Sequence, residues 1–244
     1  MSSSAASKKP LIIFCHGSGD TGAGAQAWIE SLVPPQVYRQ WDWIFPTAQP
    51  IPYKLNGGMV TSVWYDRVGG FDPKYPEQTD SIERSTDRLL ALMDDQIQTK
   101  GRDPRRVIIG GFSMGGAIAY QTAARWHVRP NAVPLGGVFG LSCYLNHDSK
   151  VWSILEEQQQ HKSWPPTFIA HGAIDDFILV KWGRATHERL VQMGIPASFR
   201  LVPDTHHDMA PAEIAELLEF LDHNLQEEGA EASNDCKTKT SSTS

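Results

Sequence analysis

The segment Gly111-Phe112-Ser113-Met114-Gly115 constrains this chain more than any other. It follows the short β-branched run at residues 106–109, which is typical of a buried strand, and precedes the small-residue segment 116–124, which favours a helix. A strand, a sharp turn and a helix in this order are the context of a nucleophile elbow. A side chain in place of either glycine would crowd such a turn. We therefore predict that Ser113 is a nucleophile; the alternative is a structural Gly/Ser turn.

Composition narrows the class of protein. The chain has 244 residues, 41% of them apolar, which suits one sizeable domain. The net charge is −6, and without a basic cluster we expect no nucleic-acid partner. The three cysteines, Cys15, Cys143 and Cys236, are too far apart for a metal motif and indicate no disulfide framework. The first apolar run, Leu11 to Cys15, is too short for a signal peptide or a membrane span, so we expect a cytoplasmic protein without a transmembrane segment.

The two ends of the chain differ in composition from the rest. Residues 1–9 are small, polar and basic, and residues 226–244 are rich in Glu, Ser, Thr and Lys. Such segments bury too little apolar surface to order themselves. We therefore expect a disordered N-terminal segment at 1–9, one folded domain at 10–225 and a disordered polar tail at 226–244.

Strand and helix patterns alternate through the folded part. This alternation predicts an α/β fold with a mostly parallel central sheet and helices on both faces. In such sheets, functional residues gather in loops at the carboxyl ends of the strands. The predicted strands are 11–15, 43–45, 106–109, 135–141, 167–170 and 198–202, and the predicted helices are 25–32, 79–100, 151–159, 180–193 and 211–225.

The stretch from Pro46 to Gln78 is rich in Pro, Gly and aromatic residues and is expected to be a long loop. Loops of this length in a folded domain often form a lid or a substrate wall. Its apolar residues Tyr53, Leu55 and Trp64 are candidates for that wall, although burial in the core is the simpler interpretation for any one of them.

A serine nucleophile needs a base, and the base needs an acid that fixes its tautomer. In hydrolases with this elbow the chain order is serine, acid, histidine. The acid is expected at Asp175, after the strand at 167–170, with Asp176 and Asp148 as alternatives.

The base is expected in the loop after the last strand, where Pro203-Asp204-Thr205-His206-His207-Asp208 follows. We favour His207, with His206 as the alternative. A metal cluster of His206, His207 and Asp208 is a weaker possibility, because adjacent histidines match no usual zinc spacing. We expect neither a metal nor an organic cofactor.

An acyl-transfer intermediate carries an oxyanion that needs preorganised N–H donors. The backbone N–H of Met114, at the start of a helix, is one candidate. Ser18 is the second, since the glycine-rich loop His16 to Gly22 directly follows the first strand. A phosphate-binding loop is excluded because no Gly-Lys-Ser/Thr follows it. His16 and His171, each before a glycine at a strand end, are expected to organise their loops.

Taken together, these motifs resemble the acyl-protein thioesterase and lysophospholipase family of small α/β-hydrolases, over about Leu11 to Leu225. The Gly-Phe-Ser-Met-Gly-Gly form at 111–116 is similar to the lysophospholipase-like branch of that family. The matching pieces are His16-Gly17-Ser18-Gly19-Asp20-Thr21-Gly22, Val63-Trp64-Tyr65-Asp66, residues 110–116, Leu141-Ser142, His171-Gly172-Ala173-Ile174-Asp175 and His207.

The resemblance implies an α/β-hydrolase fold and a role for each matching residue. Asp175 corresponds to the family's acid, His207 to its base, and Ser18 and Met114 to its oxyanion donors. The acyl-protein thioesterases usually have Gln where Met114 stands. This difference argues against long-chain acyl-protein activity, but it leaves the hydrolase chemistry intact, since the oxyanion donor at this position is the backbone.

The expected activity is hydrolysis of carboxylic esters or thioesters of acyl substrates, including S-acylated proteins, through an acyl-enzyme. An acyl-binding protein with little turnover and an acyltransferase are the alternatives. The sequence does not indicate an oligomeric state.

Overall fold

Six strands form a fully parallel central sheet in the computed structural model, which describes residues 9–157 and 164–240, the latter as backbone only beyond 226. The order across the sheet is β2-β1-β5-β6-β7-β8, and β3 and β4 form a separate two-stranded sheet. The α/β fold with a parallel sheet is therefore confirmed. The strands are β1 (Leu11–Cys15), β2 (Asp42–Ile44), β3 (Pro50–Tyr53), β4 (Met59–Ser62), β5 (Val107–Phe112), β6 (Gly137–Leu141), β7 (Thr167–Gly172) and β8 (Ala197–Val202).

Helices connect the strands and cover both faces of the sheet. A 3-10 turn, Lys54–Asn56, links β3 to β4, and another, Pro104–Arg106, precedes β5. The helices are α1 (Gly22–Leu32), α2 (Pro35–Tyr38), α3 (Thr79–Asp94), α4 (Met114–His127), α5 (Lys150–Glu157), α6 (Val180–Gln192) and α7 (Pro211–Thr240).

Strand β1 shows why its sequence is apolar without a break. Successive side chains point to opposite faces, so a strand covered on both sides needs apolar residues throughout. Ile13 packs in a core cluster with residues of α3, α4, α5 and α6, whereas its neighbour Ile12 packs in a second cluster with residues of α1 and α7. Both residues have no exposed surface.

The stretch from Pro46 to Gln78 is not a loop throughout, and here the prediction was wrong. Strands β3 and β4 pair as an antiparallel hairpin, with Pro50 opposite Ser62 and Tyr53 opposite Met59. Gly57 and Gly58 have φ of 60° and 79°, which glycine adopts readily, and they lie between the two strands. Two prolines in β3 hid the strand, because proline cannot donate to a ladder and is confined to sheet edges.

Two helices have unusual C-terminal ends. The α3 helix passes into a π-helical turn, Asp95–Thr99, before Gly101 adopts a φ of 64°. The α7 helix runs to Thr240, past the predicted end near Leu225, because Glu, Ala and Lys favour helix and no proline interrupts them. It thus enters the tail 226–244 that was expected to be disordered, and the division of the chain at 10 and 225 stays a prediction.

Some expectations fall on residues that the structure does not describe. These are residues 1–8 of the N-terminal segment, the last two residues of the predicted helix 151–159 and residues 241–244 of the predicted tail. Helix α5 covers the predicted helix as far as Glu157. Across the described ranges, every helix is too short or too polar to span a bilayer.

Candidate active site

Ser113 lies at the tight turn between β5 and α4. Its backbone has φ 54° and ψ −121°, a combination that side chains avoid unless the surrounding structure enforces it. A β-carbon on Gly111 would lie 2.1 Å from the carbonyl oxygen of Cys15, and one on Gly115 would lie 2.0 Å from the same atom. Because the chain passes this close to the end of β1, both positions require glycine, and the strained turn presents the Ser113 hydroxyl at the edge of the sheet.

A continuous chain of hydrogen bonds links Ser113, His207 and Asp175. Nε2 of His207 lies 3.0 Å from Oγ of Ser113, and its Nδ1 lies 2.8 Å from Oδ2 of Asp175. An ionised carboxylate only accepts hydrogen bonds, so Nδ1 carries the proton. Nε2 is then free to accept the proton of the serine hydroxyl. The structure thus brings together the three residues expected from the sequence.

The carboxyl group of Asp175 is fully buried and held by its own loop. Its Oδ1 accepts hydrogen bonds from the N–H groups of Phe177 at 3.0 Å and Ile178 at 2.8 Å. Burial by itself raises the pKa of a carboxyl group. Here hydrogen bonds from His171, His207 and the Ile178 N–H outweigh burial, and the pKa of Asp175 lies well below its usual range. The carboxylate therefore stays ionised and can stabilise a charged imidazole.

His171 is a second histidine beside this carboxylate. Its Nε2 lies 2.7 Å from the carbonyl oxygen of Ile178 and 3.4 Å from Oδ2 of Asp175, so Nε2 carries a proton. The ring is fully buried against α6, where a β-carbon on Gly183 would lie 2.4 Å from Nδ1. His171 therefore organises the loop that carries the acid.

His16 organises the glycine-rich loop after β1 in a similar way. Its Nε2 accepts a hydrogen bond from the Ala48 N–H at 3.0 Å, so its Nδ1 donates to the carbonyl oxygen of Gly17 at 2.7 Å. Burial lowers the pKa of His16 and outweighs the opposing effect of the Gly17 hydrogen bond. A neutral ring that bridges two loops fits the organising role expected from the sequence.

The alternative acids and base lie elsewhere. The side chains of His206 and Asp176 are exposed and 3.8 Å apart, and Asp148 accepts from the N–H of Glu77 at 3.3 Å. No three His, Cys, Asp or Glu side chains gather in a metal-binding arrangement within ranges 9–157 and 164–226.

Both candidate oxyanion donors lie beside Ser113. Met114 is the first residue of α4, where the N–H groups of a helix have no intrahelical acceptor. The Ser18 hydroxyl lies 3.5 Å from the Met114 sulfur, so the loop after β1 meets the start of α4. An oxyanion role for the two backbone N–H groups stays a prediction.

A small cleft opens beside the Ser113 hydroxyl. Its lining includes five residues that sequence reasoning did not single out as site residues. For Ser142 a signal existed, since it directly follows a buried strand, but nothing in the pattern marked the others. These residues are Arg67, Phe71, Ser142, Tyr144 and Ile178.

The three residues expected to form a substrate wall are not in this lining. Tyr53 and Trp64 are buried and Leu55 is half-buried, and all three pack with the core cluster next to α3 and α4. The indole N–H of Trp64 donates to the His16 carbonyl oxygen at 2.8 Å. A direct role for these residues in substrate contact stays a prediction.

Cys143 also lines the cleft and competes with Ser113 as a potential nucleophile. Burial raises the pKa of its thiol to about 12, and only the thiolate is strongly nucleophilic. Cys143 therefore remains protonated near neutral pH, and Ser113, next to a base, is the better nucleophile.

Comparison with known proteins identifies the family. The sequence model of the Phospholipase/Carboxylesterase family matches residues 1–225. The chain belongs to this family. It is 34% identical over 211 residues to lysophospholipase-like protein 1 of Mus musculus, covering 86% of this chain and 84% of that protein. It is 31% identical over 224 residues to acyl-protein thioesterase 1 of Emericella nidulans, covering 89% and 91%.

Two solved structures agree with the fold. Acyl-protein thioesterase 2 of Zea mays matches with a TM-score of 0.76 and 27% identity, covering 91% of this chain and 96% of that one. SOBER1 of Arabidopsis thaliana matches with a TM-score of 0.77 and 24% identity, covering 89% and 100%. This chain is thus an α/β-hydrolase, as the sequence motifs implied.

Proposed function

We propose that this chain is a serine hydrolase that cleaves carboxylic ester or thioester bonds of acyl substrates. The observation that carries the proposal is the hydrogen-bond chain from Ser113 through His207 to Asp175. A nucleophile, a base and an orienting acid in contact are the working parts of a serine esterase.

In the first half-reaction, His207 takes the proton of the Ser113 hydroxyl while Oγ attacks the carbonyl carbon of the substrate. The tetrahedral intermediate places its oxyanion toward the N–H groups of Ser18 and Met114. His207 then donates its proton to the leaving alcohol or thiol as the C–O or C–S bond breaks. In the second half-reaction His207 takes a proton from water, which attacks the carbonyl carbon of the acyl-enzyme. The bond to Oγ then breaks, His207 returns the proton to Oγ of Ser113, and the acid is released.

The names of similar proteins suggest candidate substrates. Two of the similar proteins described above are named acyl-protein thioesterase, so S-acylated proteins are candidate substrates together with small acyl esters.

We propose a cytoplasmic setting, which the unpaired thiols of Cys15 and Cys143 support, since reducing compartments preserve free thiols.

The proposal is tested with Ser113→Ala. We expect this variant to lose at least about 10⁴-fold in kcat on p-nitrophenyl esters and matched thioesters, because a triad residue typically contributes several orders of magnitude. Labelling by a fluorophosphonate should disappear as well. Wild-type protein that is neither labelled nor active on any chain length would instead indicate an acyl-binding protein. Ester products that form only with added alcohol would indicate an acyltransferase.

A further inference from the structure

Arg67 is a buried cation in the cleft that also holds the Ser113 hydroxyl. Only 7% of its surface is exposed, and its side chain lines the cleft together with Ser113, Ser142 and Tyr144. A buried charge is normally compensated by a partner of opposite charge. The groups that contact Arg67 therefore indicate whether its charge is available to a ligand in the cleft.

All the partners that the structure gives the guanidinium are neutral. Its two terminal nitrogens donate to the hydroxyls of Tyr144 at 2.7 Å and Tyr65 at 2.8 Å. The rings of Tyr65, Phe71 and Tyr144 lie 5.0, 5.8 and 5.2 Å from its central carbon. These contacts orient the group and favour a positive charge, but they do not neutralise it.

No carboxylate in the described part of the chain pairs with Arg67. The nearest in sequence, Asp66, forms an ion pair with Lys54 at 3.0 Å and accepts only the backbone N–H of Arg67. The Nε–H of Arg67 is buried and has no acceptor among the described residues. A guanidinium presents five N–H donors in a planar fork that matches a carboxylate, and two of them are used here on the tyrosines.

The position of His207 indicates which part of a substrate the cleft would receive. His207 protonates the leaving group, so the leaving group departs on the side of His207. His207 is not part of the cleft lining, whereas Ser18 and Met114, the proposed oxyanion donors, are. With the leaving group on the His207 side, we expect the acyl chain to extend into the cleft, toward Arg67.

We infer that Arg67 binds a carboxylate at the far end of the acyl group, so that the preferred substrates are monoesters or monothioesters of short dicarboxylic acids. This inference rests on the proposed hydrolase function and adds its acyl specificity. Ser113 forms the acyl-enzyme with the thioester carbonyl, the C–S bond breaks, and His207 protonates the thiol. Water then releases the free dicarboxylate. The chain between the two carbonyl groups must be short, because Arg67 and Ser113 line the same small cleft.

The experiment compares two thioesters of N-acetylcysteamine that have the same number of acyl carbons. One carries a glutaryl group, which ends in a carboxylate, and the other a valeryl group, which ends in a methyl. We expect wild-type kcat/KM to be at least about tenfold higher for the glutaryl thioester, since hydrogen bonds to charged groups contribute about 1.5–3 kcal/mol. The difference should lie mainly in KM.

The Arg67→Met variant should lose this preference, so that the glutaryl-to-valeryl ratio falls by at least about tenfold. Arg67→Lys, which keeps the charge but not the fork, should retain part of it. Arg184→Met is the matched control, because Arg184 also lies over an aromatic ring, Phe199 at 5.0 Å, but does not line the cleft. It should leave the ratio unchanged.

A second measurement does not depend on the stability of any variant. Free glutarate should inhibit the wild-type enzyme competitively and at least about tenfold more strongly than valerate, for the same electrostatic reason. Equal or faster hydrolysis of the valeryl thioester by wild-type enzyme, with no stronger inhibition by glutarate, overturns the inference. If that turnover still requires Ser113, the hydrolase proposal stands; if neither thioester is cleaved and Ser113 is not labelled, the hydrolase proposal itself fails.

Discussion

Nε2 of His207 lies 3.0 Å from the hydroxyl oxygen of Ser113, although the two residues are 94 positions apart in the sequence. Ser113 follows β5 and His207 follows β8, and β5 and β8 are separated by β6 and β7 in the sheet. The loops after parallel strands all lie at the same edge of the sheet, which is how distant segments contribute to one site.

We expect Asp175→Asn and His207→Ala to reduce kcat/KM on an acyl ester by at least about 10³-fold. The amide oxygen of asparagine would stay with the N–H groups of Phe177 and Ile178. The amide NH2 would then face Nδ1 of His207 and could not accept its proton, and alanine in place of His207 would remove the base. Steady-state kinetics on one ester, with circular dichroism to verify folding, measure the effect.

The matched controls are Asp176→Asn and His206→Ala. Each changes the adjacent residue of the same type, and both side chains are exposed. Activity should stay within about threefold of wild type, since exposed substitutions away from special features have small effects. If Asp176→Asn reduced activity strongly and Asp175→Asn did not, Asp176 would be the acid. The same comparison between His206→Ala and His207→Ala tests which histidine is the base.

The pH dependence of kcat/KM should show one ionisation on its acid side. Hydrogen bonds keep the pKa of Asp175 well below its usual range, so this carboxylate is ionised wherever the enzyme is active. Protonation of the base alone then abolishes attack on the acid side of the profile. Initial rates between pH 4.5 and 9 test this. A flat profile would exclude a histidine base, and a slope of two would implicate a second group.

Much of the fold could be predicted from the sequence because burial leaves a clear pattern. The uninterrupted apolar run of β1 was predicted with its observed ends, Leu11 and Cys15. The hairpin of β3 and β4 was missed, since Pro50 and Pro52 argue against a strand and only pairing with β4 reveals one.

The candidate site was predictable to the level of its loops. Chain order and strand ends lead to the segments that carry Asp175 and His207, but residue patterns alone could not exclude Asp176. That distinction depends on which carboxylate the N–H groups of Phe177 and Ile178 can reach, and this is a property of the folded loop. Arg67 gave no signal, because an arginine after a tyrosine and an aspartate is usually exposed.

Gly115→Ala should destabilise the protein by about 3 kcal/mol or more, at or above the upper end of typical overpacking costs. The added β-carbon would lie 2.0 Å from the backbone carbonyl oxygen of Cys15, and backbone cannot move aside as a flexible side chain can. Urea unfolding measures the free energy of unfolding. Gly101→Ala is the control: its β-carbon meets nothing within 4 Å, so only its φ of 64° opposes the change. An equal loss in both variants would contradict the close packing at the elbow.

Glu213 in α7 should make the protein less stable as pH rises. Burial raises the pKa of its carboxyl group to about 8, a hydrogen bond from the Ala210 N–H opposes this, and Asp208 and Glu216 add to the increase. The folded state therefore holds a proton that the unfolded chain releases near its normal pKa of about 4.3. Since the native state binds more protons between these two values, the free energy of unfolding falls as pH rises through this interval and levels off above about 8.

Glu213→Gln removes this titration while keeping an oxygen that can accept from the Ala210 N–H. We expect the variant to gain stability relative to wild type between pH 5 and pH 9, by a few kcal/mol at most, since one pKa unit corresponds to about 1.36 kcal/mol. Urea unfolding at both pH values provides the difference. Glu216→Gln, at an exposed position on the same helix paired with Arg200 at 3.3 Å, should show almost no change with pH. An advantage of Glu213→Gln that is the same at pH 5 and pH 9 would mean that Glu213 is not protonated in the folded protein.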